Sequence, residues 1–218
     1  MTVPPASAPH VVVVVRERAT TPAGDRALLV GVVADATGVD RSGVQVSRRC
    51  PRCEGDHGRP VLVRCGERGV EGIDLSLSRA GRSVAIAVSF AGPVGIDIES
   101  VGAAARAGFD DVAFGPLERE SLAAAGSPAL RTAMWTAKEA MLKATGDGLR
   151  VDPRELQVSF ADRMPVDPAH PTGAALIAWP SAPTPVGSFQ LSALDAGPGL
   201  VGTIAVIADA PPPILLVD

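Results

Sequence analysis

The chain has 218 residues, 46% of them hydrophobic, which is enough to bury one large core or two smaller ones, and it carries a formal charge of −4. That acidic balance excludes binding of nucleic acid through the overall field, and no apolar run reaches the length of a membrane span, so any anion must be gripped locally. Aromatic residues make up only 3% and tyrosine is absent, so methyl packing of Val, Leu, Ile and Ala has to build the interior.

Residues 1–10 are rich in Pro and Ala and read as a flexible leader, without the basic start of a signal peptide. Together with an odd number of cysteines, Cys50, Cys53 and Cys65, this predicts a cytoplasmic chain with no disulfide framework. Residues 11–16 read as a buried strand. Thr20, Thr21 and Pro22 signal a helix start, and Leu28, Leu29, Val32 and Val33 keep helical spacing until Gly38, predicting a helix over 23–37. The stretch 48–60, dense in Cys, Gly, Pro and charge, reads as a loop. Its Cys50-Pro51-Arg52-Cys53 knuckle, with His57 and Cys65 behind it, offers four zinc-type donors, but their spacing matches no zinc pattern and the reading is loop thiols.

Residues 73–77 and 83–89 read as strands paired through the turn at 79–82, and 94–99 as a further strand. Helices are predicted over 116–125 and from about 130 to 145, where Leu130, Met134, Ala137, Met141 and Ala144 form an apolar stripe closed by Gly146. Beyond Asp152 and Pro153, four strands (156–160, 174–179, 188–194 and 202–208) alternate with Pro-rich turns, and Trp179 falls in the core. His10 and His170 sit in Pro-rich segments expected to be exposed. The pattern is α+β, organised as a half over 11–94, a half over 95–210 and a tail at 211–218.

Two segments carry chemistry. In Gly95-Ile96-Asp97-Ile98-Glu99 the acids share one face of a strand, about 6.6 Å apart, and their repulsion suits a hard cation taking oxygen ligands. Alone, the same pair describes a solvated edge strand. In Trp135-Thr136-Ala137-Lys138-Glu139-Ala140-Met141-Leu142-Lys143, residues Trp135, Glu139 and Lys143 share one helix flank, which alone describes an ordinary i,i+4 ion pair. Together, some 40 residues apart, they supply three carboxylates and two ammonium groups, a set suited to a metal-bound pyrophosphate.

With G-x-D-x-E followed by W-x-x-K-E-A-x-x-K complete and in order, the sequence resembles the Sfp-type 4′-phosphopantetheinyl transferases. The resemblance implies two similar α+β subdomains in pseudo-two-fold arrangement, with the active site at their interface. It implies transfer of the phosphopantetheine arm of coenzyme A to a serine of an apo acyl or peptidyl carrier protein, as in holo-acyl-carrier-protein synthases, by a monomer needing Mg²⁺. Asp97, Glu99 and Glu139 would hold the metal. Lys138 and Lys143 would bind phosphate oxygens, and Arg26, Arg59, Pro60, Ser76 and Ser78 would complete the coenzyme site. Glu118, Glu139 and Lys143 would serve catalysis, with Glu118 aligned to a family acid that assists deprotonation.

One departure stands out. Where many relatives have Ser-His-Ser, this chain reads Ser76-Leu77-Ser78, so a phosphate-binding His is missing and Arg79 or a backbone N–H must replace it. That departure motivates a rival reading, a degenerate member that binds coenzyme A or a carrier without catalysis. Residues 101–114, with Phe109 and Phe114, are the expected carrier-docking patch.

Overall fold

A computed structural model describes residues 8–49, 55–101, 109–160 and 173–217. The chain is α+β. Strand β1 (Val11–Glu17) has four consecutive buried valines and runs centrally in a four-stranded sheet ordered β11-β1-β5-β4, with β4 at Asp74–Ala80, β5 at Ser83–Ser89 and β11 at Ile214–Val217. Because side chains alternate across a strand, Val12 and Val14 join Leu75, Leu77, Ile86 and Val88 in a core under helix α1 (Pro22–Thr37), while Val11 and Val13 face the opposite way. Thr21 caps α1 by accepting from the Gly24 N–H, and Gly38 ends it in the left-handed conformation.

The second sheet is ordered β6-β10-β9, formed by Val94–Ser100, Leu200–Ile207 and Phe189–Leu194. One face, with Val94, Ile96, Ile98, Ile204 and Val206, packs on Val11, Val13, Ala85 and Ala87 of the first sheet. Across the other face lies helix α4 (Pro128–Thr145), whose Ala137, Ala140 and Ala144 are almost fully buried. Gly95 shows how close that approach is: a Cβ there would lie 1.8 Å from the Ala140 carbonyl oxygen. The alternation that buries Ile96 and Ile98 between the sheets therefore turns Gly95, Asp97 and Glu99 toward α4.

Three features depart from the sequence expectations. The stretch read as a loop contains parts of an antiparallel pair, β2 (Val44–Arg49) and β3 (Asp56–Cys65), with two register shifts that accommodate its irregular composition. Cys50 and Cys53 lie outside the described residues, and Cys65 is a buried free thiol. His10 is 1% exposed and stacked on Phe90, because it directly precedes the central strand; His170 lies outside the described residues. The segment read as a tail at 211–218 opens on three prolines, 211–213, and leads into β11, which pairs in parallel with β1.

The helices α2 (Phe109–Ala113) and α3 (Pro116–Ala125) pack beside α4, and a hairpin of β7 (Gln157–Phe160) and β8 (Ala174–Ala178) follows. Phe114 is fully buried, and Phe109 packs edge-on against Phe114 and Trp135, so these rings are core and not a docking patch. Residues 102–108 of that patch lie outside the described residues. The exposed large apolar side chains of that stretch are Val101 and Val112, with Leu117 just beyond it. Among the described residues no helix is long and apolar enough to cross a membrane.

Candidate functional site

The sheets meet where β4 lies beside β6, and a cavity of about 270 Å³ opens at that joint. Gly58, Arg59, Pro60, Ser76 and Leu77 line it from the first half of the chain, and Glu139, Leu142, Lys143, Gly146 and Gly148 from the second. Of the site residues singled out by sequence, Arg59, Pro60, Ser76, Glu139 and Lys143 line this space, whereas Ser78, Asp97, Glu99, Glu118 and Lys138 do not. The structure adds Arg48, from β2, whose Nε donates to the Gly58 carbonyl. Nothing in the loop-like composition of 48–60 marked that arginine. Arg26, on α1, does not line the cavity.

Asp97 and Lys143 form the centre. Lys143 Nζ donates to Asp97 Oδ1 at 2.6 Å, to the Ile96 carbonyl at 3.1 Å and to Ser78 Oγ at 3.3 Å. Ser78 Oγ in turn donates to the same Asp97 oxygen at 2.8 Å. The other oxygen, Oδ2, is buried and has no hydrogen-bond partner. Burial pushes the Asp97 carboxyl above its ordinary range, against the pull of Lys143 and Ser78. Glu139 is raised from 4.5 to about 7, first by burial and then by the negative charges of Asp97 and Glu99, with Lys143 opposing. The influence of Asp97 and Glu99 on Glu139 places the three acids in one electrostatic cluster.

Among the described residues, no three His, Cys, Asp or Glu side chains are gathered closely enough to grip an ion outright. The donor set still fits a hard divalent cation, on two observations: a buried carboxylate oxygen with no partner, and the Glu139 carboxyl, whose ionisation is opposed by the charges of Asp97 and Glu99.

Lys138 and Glu118 occupy a different place from the one expected. Lys138 is 0% exposed, and its Nζ donates to Glu118 Oε2, to the Ala113 carbonyl and to the Pro153 carbonyl, so all three donors are used. Glu118 accepts in addition from the Gly115 and Val158 N–H groups. A fully engaged, buried ammonium has no donor left for a phosphate, and a buried carboxylate locked to it has no path to a substrate hydroxyl. The pair instead ties α4 to α2, α3, β7 and the turn at Pro153. Burial lowers the Lys138 ammonium while Glu118 supports its charge.

Arg59 also faces inward. It pairs with Asp74 and donates to the Val94 carbonyl at 3.3 Å and the Ala144 carbonyl at 3.4 Å, bridging β3, β4, β6 and α4. Desolvation raises the Asp74 carboxyl, with Arg59 opposing. Arg79, the suggested substitute for the missing histidine, is bonded through Nε to the buried carboxylate of Asp25 in α1. Leu77, 8% exposed, belongs to the core beneath that helix and also lines the cavity.

What results is a groove with cationic and anionic walls at the seam of two sheets, furnished with a carboxyl that titrates near neutrality. Such a groove can hold a polyanion and accept a proton from a hydroxyl. No curated protein matches the chain. Residues 93–192, which contain β6, Glu118, Glu139 and Lys143, match the family model of the 4′-phosphopantetheinyl transferase superfamily. By that match the stretch that carries β6 and α4 is a domain of the 4′-phosphopantetheinyl transferase superfamily.

Proposed function

We propose that this chain is an Sfp-type enzyme that transfers the 4′-phosphopantetheine group of coenzyme A to a serine of an apo carrier protein and releases 3′,5′-ADP. The observation that carries the reading is the convergence of Glu139 and Lys143 of α4 with the Gly58-Arg59-Pro60 segment around one cavity, beside Asp97. Both halves of the chain, 11–94 and 95–210, then act as one unit, and a monomer holds every group the reaction needs.

Asp97, Glu99 and Glu139 would hold Mg²⁺, which when bound supplies neutralisation of charge on the pyrophosphate. In the transfer the serine oxygen bonds to the β-phosphorus as the bond from that phosphorus to the 3′,5′-ADP oxygen breaks, and the ADP departs with the bonding pair. Glu139, which lines the cavity, is the carboxylate suited by position to take the hydroxyl proton. Glu118 is not, because its carboxylate is closed off by Lys138. Lys143, 27% exposed, borders the cavity and adds positive charge at the wall. Most of the acceleration is then positioning and electrostatics.

The test is the intact mass of an apo carrier after incubation with the protein, coenzyme A and Mg²⁺. The expected result is a gain of about 340 Da, one phosphopantetheine arm delivered by phosphoryl-group transfer, which disappears with EDTA and with Asp97→Ala or Glu139→Ala. Leu77 in the place of the family histidine favours a second reading, binding of coenzyme A without transfer. Coenzyme binding with no mass gain on several unrelated carriers would select it.

A further inference from the structure

Where β6 faces β4, side chains do the work of a backbone ladder. The Val94 N–H donates to Asp74 Oδ2 at 2.7 Å, the Ile96 N–H donates to Ser76 Oγ at 3.0 Å, and Ser78 Oγ donates to Asp97 Oδ1 at 2.8 Å. Asp74, Ser76 and Ser78 stand at alternate positions of β4 and so form a polar rail along one face. The two serines have different partners. Ser76 bonds a backbone amide and lines the cavity, whereas Ser78 bonds a side chain and does not line it.

We propose that Ser78 is a positioning residue for a cation-binding carboxylate: with Lys143 it fixes Oδ1 of Asp97 and thereby presents Oδ2 to a divalent ion. The inference rests on the cation reading of the site given above. A carboxylate on a strand turns freely about its last torsion unless something holds it. Here two donors converge on one oxygen, Ser78 at 2.8 Å and Lys143 at 2.6 Å, while the buried second oxygen has no partner. Ser78 is itself fixed, since it is 7% exposed, lies opposite Ala85 in the β4–β5 ladder and accepts from Lys143. Outer partners of this kind orient metal ligands, and their loss weakens metal binding about 10- to 100-fold. The serine thus belongs to the carboxylate and not to the coenzyme phosphates.

The experiment compares full-length wild type, Ser78→Ala and Ser78→Thr. Mn²⁺ binding is read from the EPR signal of the free ion, with and without coenzyme A, and coenzyme A affinity is read by calorimetry in EDTA. Ser78→Ala should weaken Mn²⁺ binding about tenfold or more and leave coenzyme affinity in EDTA as in wild type. Ser78→Thr, which keeps the hydroxyl, should restore Mn²⁺ binding. If Ser78→Ala does not fold, Ser78→Cys, with a weaker donor, should bind Mn²⁺ less tightly than wild type. Wild-type Mn²⁺ affinity in the folded Ala or Cys variant, or a loss of coenzyme affinity in EDTA without a change in Mn²⁺, would overturn the role for Ser78 alone. A wild-type protein that takes no Mn²⁺ under either condition would overturn the cation reading, and this inference with it.

Discussion

Replacing Glu139 with Gln should stabilise the metal-free protein at alkaline pH, an unusual outcome for a site residue. The carboxyl is raised from 4.5 to about 7 by burial and by Asp97 and Glu99. Between those values the folded state binds a proton that the unfolded state has released, so stability falls as pH rises through the window and stays flat on either side. At about 1.4 kcal/mol per pH unit, the ionised group costs about 3 kcal/mol above pH 7. For a chain of this size that corresponds to roughly 6–12 °C in melting temperature. Thermal melts of wild type and Glu139→Gln in EDTA, at pH 8 and near pH 4.5, isolate the effect from Asp97 and Asp74, which titrate in both proteins. The variant should melt higher at pH 8, and the gap should close near pH 4.5. Mg²⁺ with coenzyme A should narrow the gap at pH 8 by stabilising only the wild type. A gap that does not change with pH, or a variant less stable at pH 8, would refute the reasoning.

Lys138→Met should cost about 3–5 kcal/mol in urea denaturation, because it strands the buried Glu118 carboxylate; adding Glu118→Gln removes that charge but keeps an acceptor for only one of the Gly115 and Val158 N–H groups, and should recover part of the loss. Gly95→Ala should cost about 3 kcal/mol or more, since its Cβ meets the backbone of Ala140 and Ala144, and an unchanged denaturation midpoint would contradict the close helix approach. Arg59→Leu removes the counter-ion of Asp74 and the donors to Val94 and Ala144, and should cost about 2 kcal/mol. Asp74→Asn in that background should return part of it, whereas a loss confined to coenzyme affinity would make Arg59 a ligand and not a strut.

The second half of the fold was legible because its signals are periodic. Alternation along 94–99 put three apolar residues toward one side and Gly95, Asp97 and Glu99 toward the other, and the helix stripe with Gly146 at its end marked α4 within two residues at its start. The pair β2–β3 was not legible, because Pro60 and the register shifts break the alternation that identifies a strand. Lys138 misled for another reason. A lysine within a motif reads as a ligand, and only tertiary packing shows that three oxygens, from residues 113, 118 and 153, converge on it. The polar rail of β4 was visible as Asp-Leu-Ser-Leu-Ser, a period-two pattern, but its partner strand is fixed only by the contact between the sheets.

The seam between β4 and β6 has a consequence for how the protein behaves at high concentration. β4 and β6 each end a sheet, and a sheet edge with open N–H and C=O groups is a template on which another chain can add a strand. On β6, Asp74 and Ser76 take the amides of Val94 and Ile96, while Arg59 and Lys143 take their carbonyls. The groups that shape the groove therefore also deny that edge to a second molecule, and substitutions that strip the rail expose a surface prone to self-association.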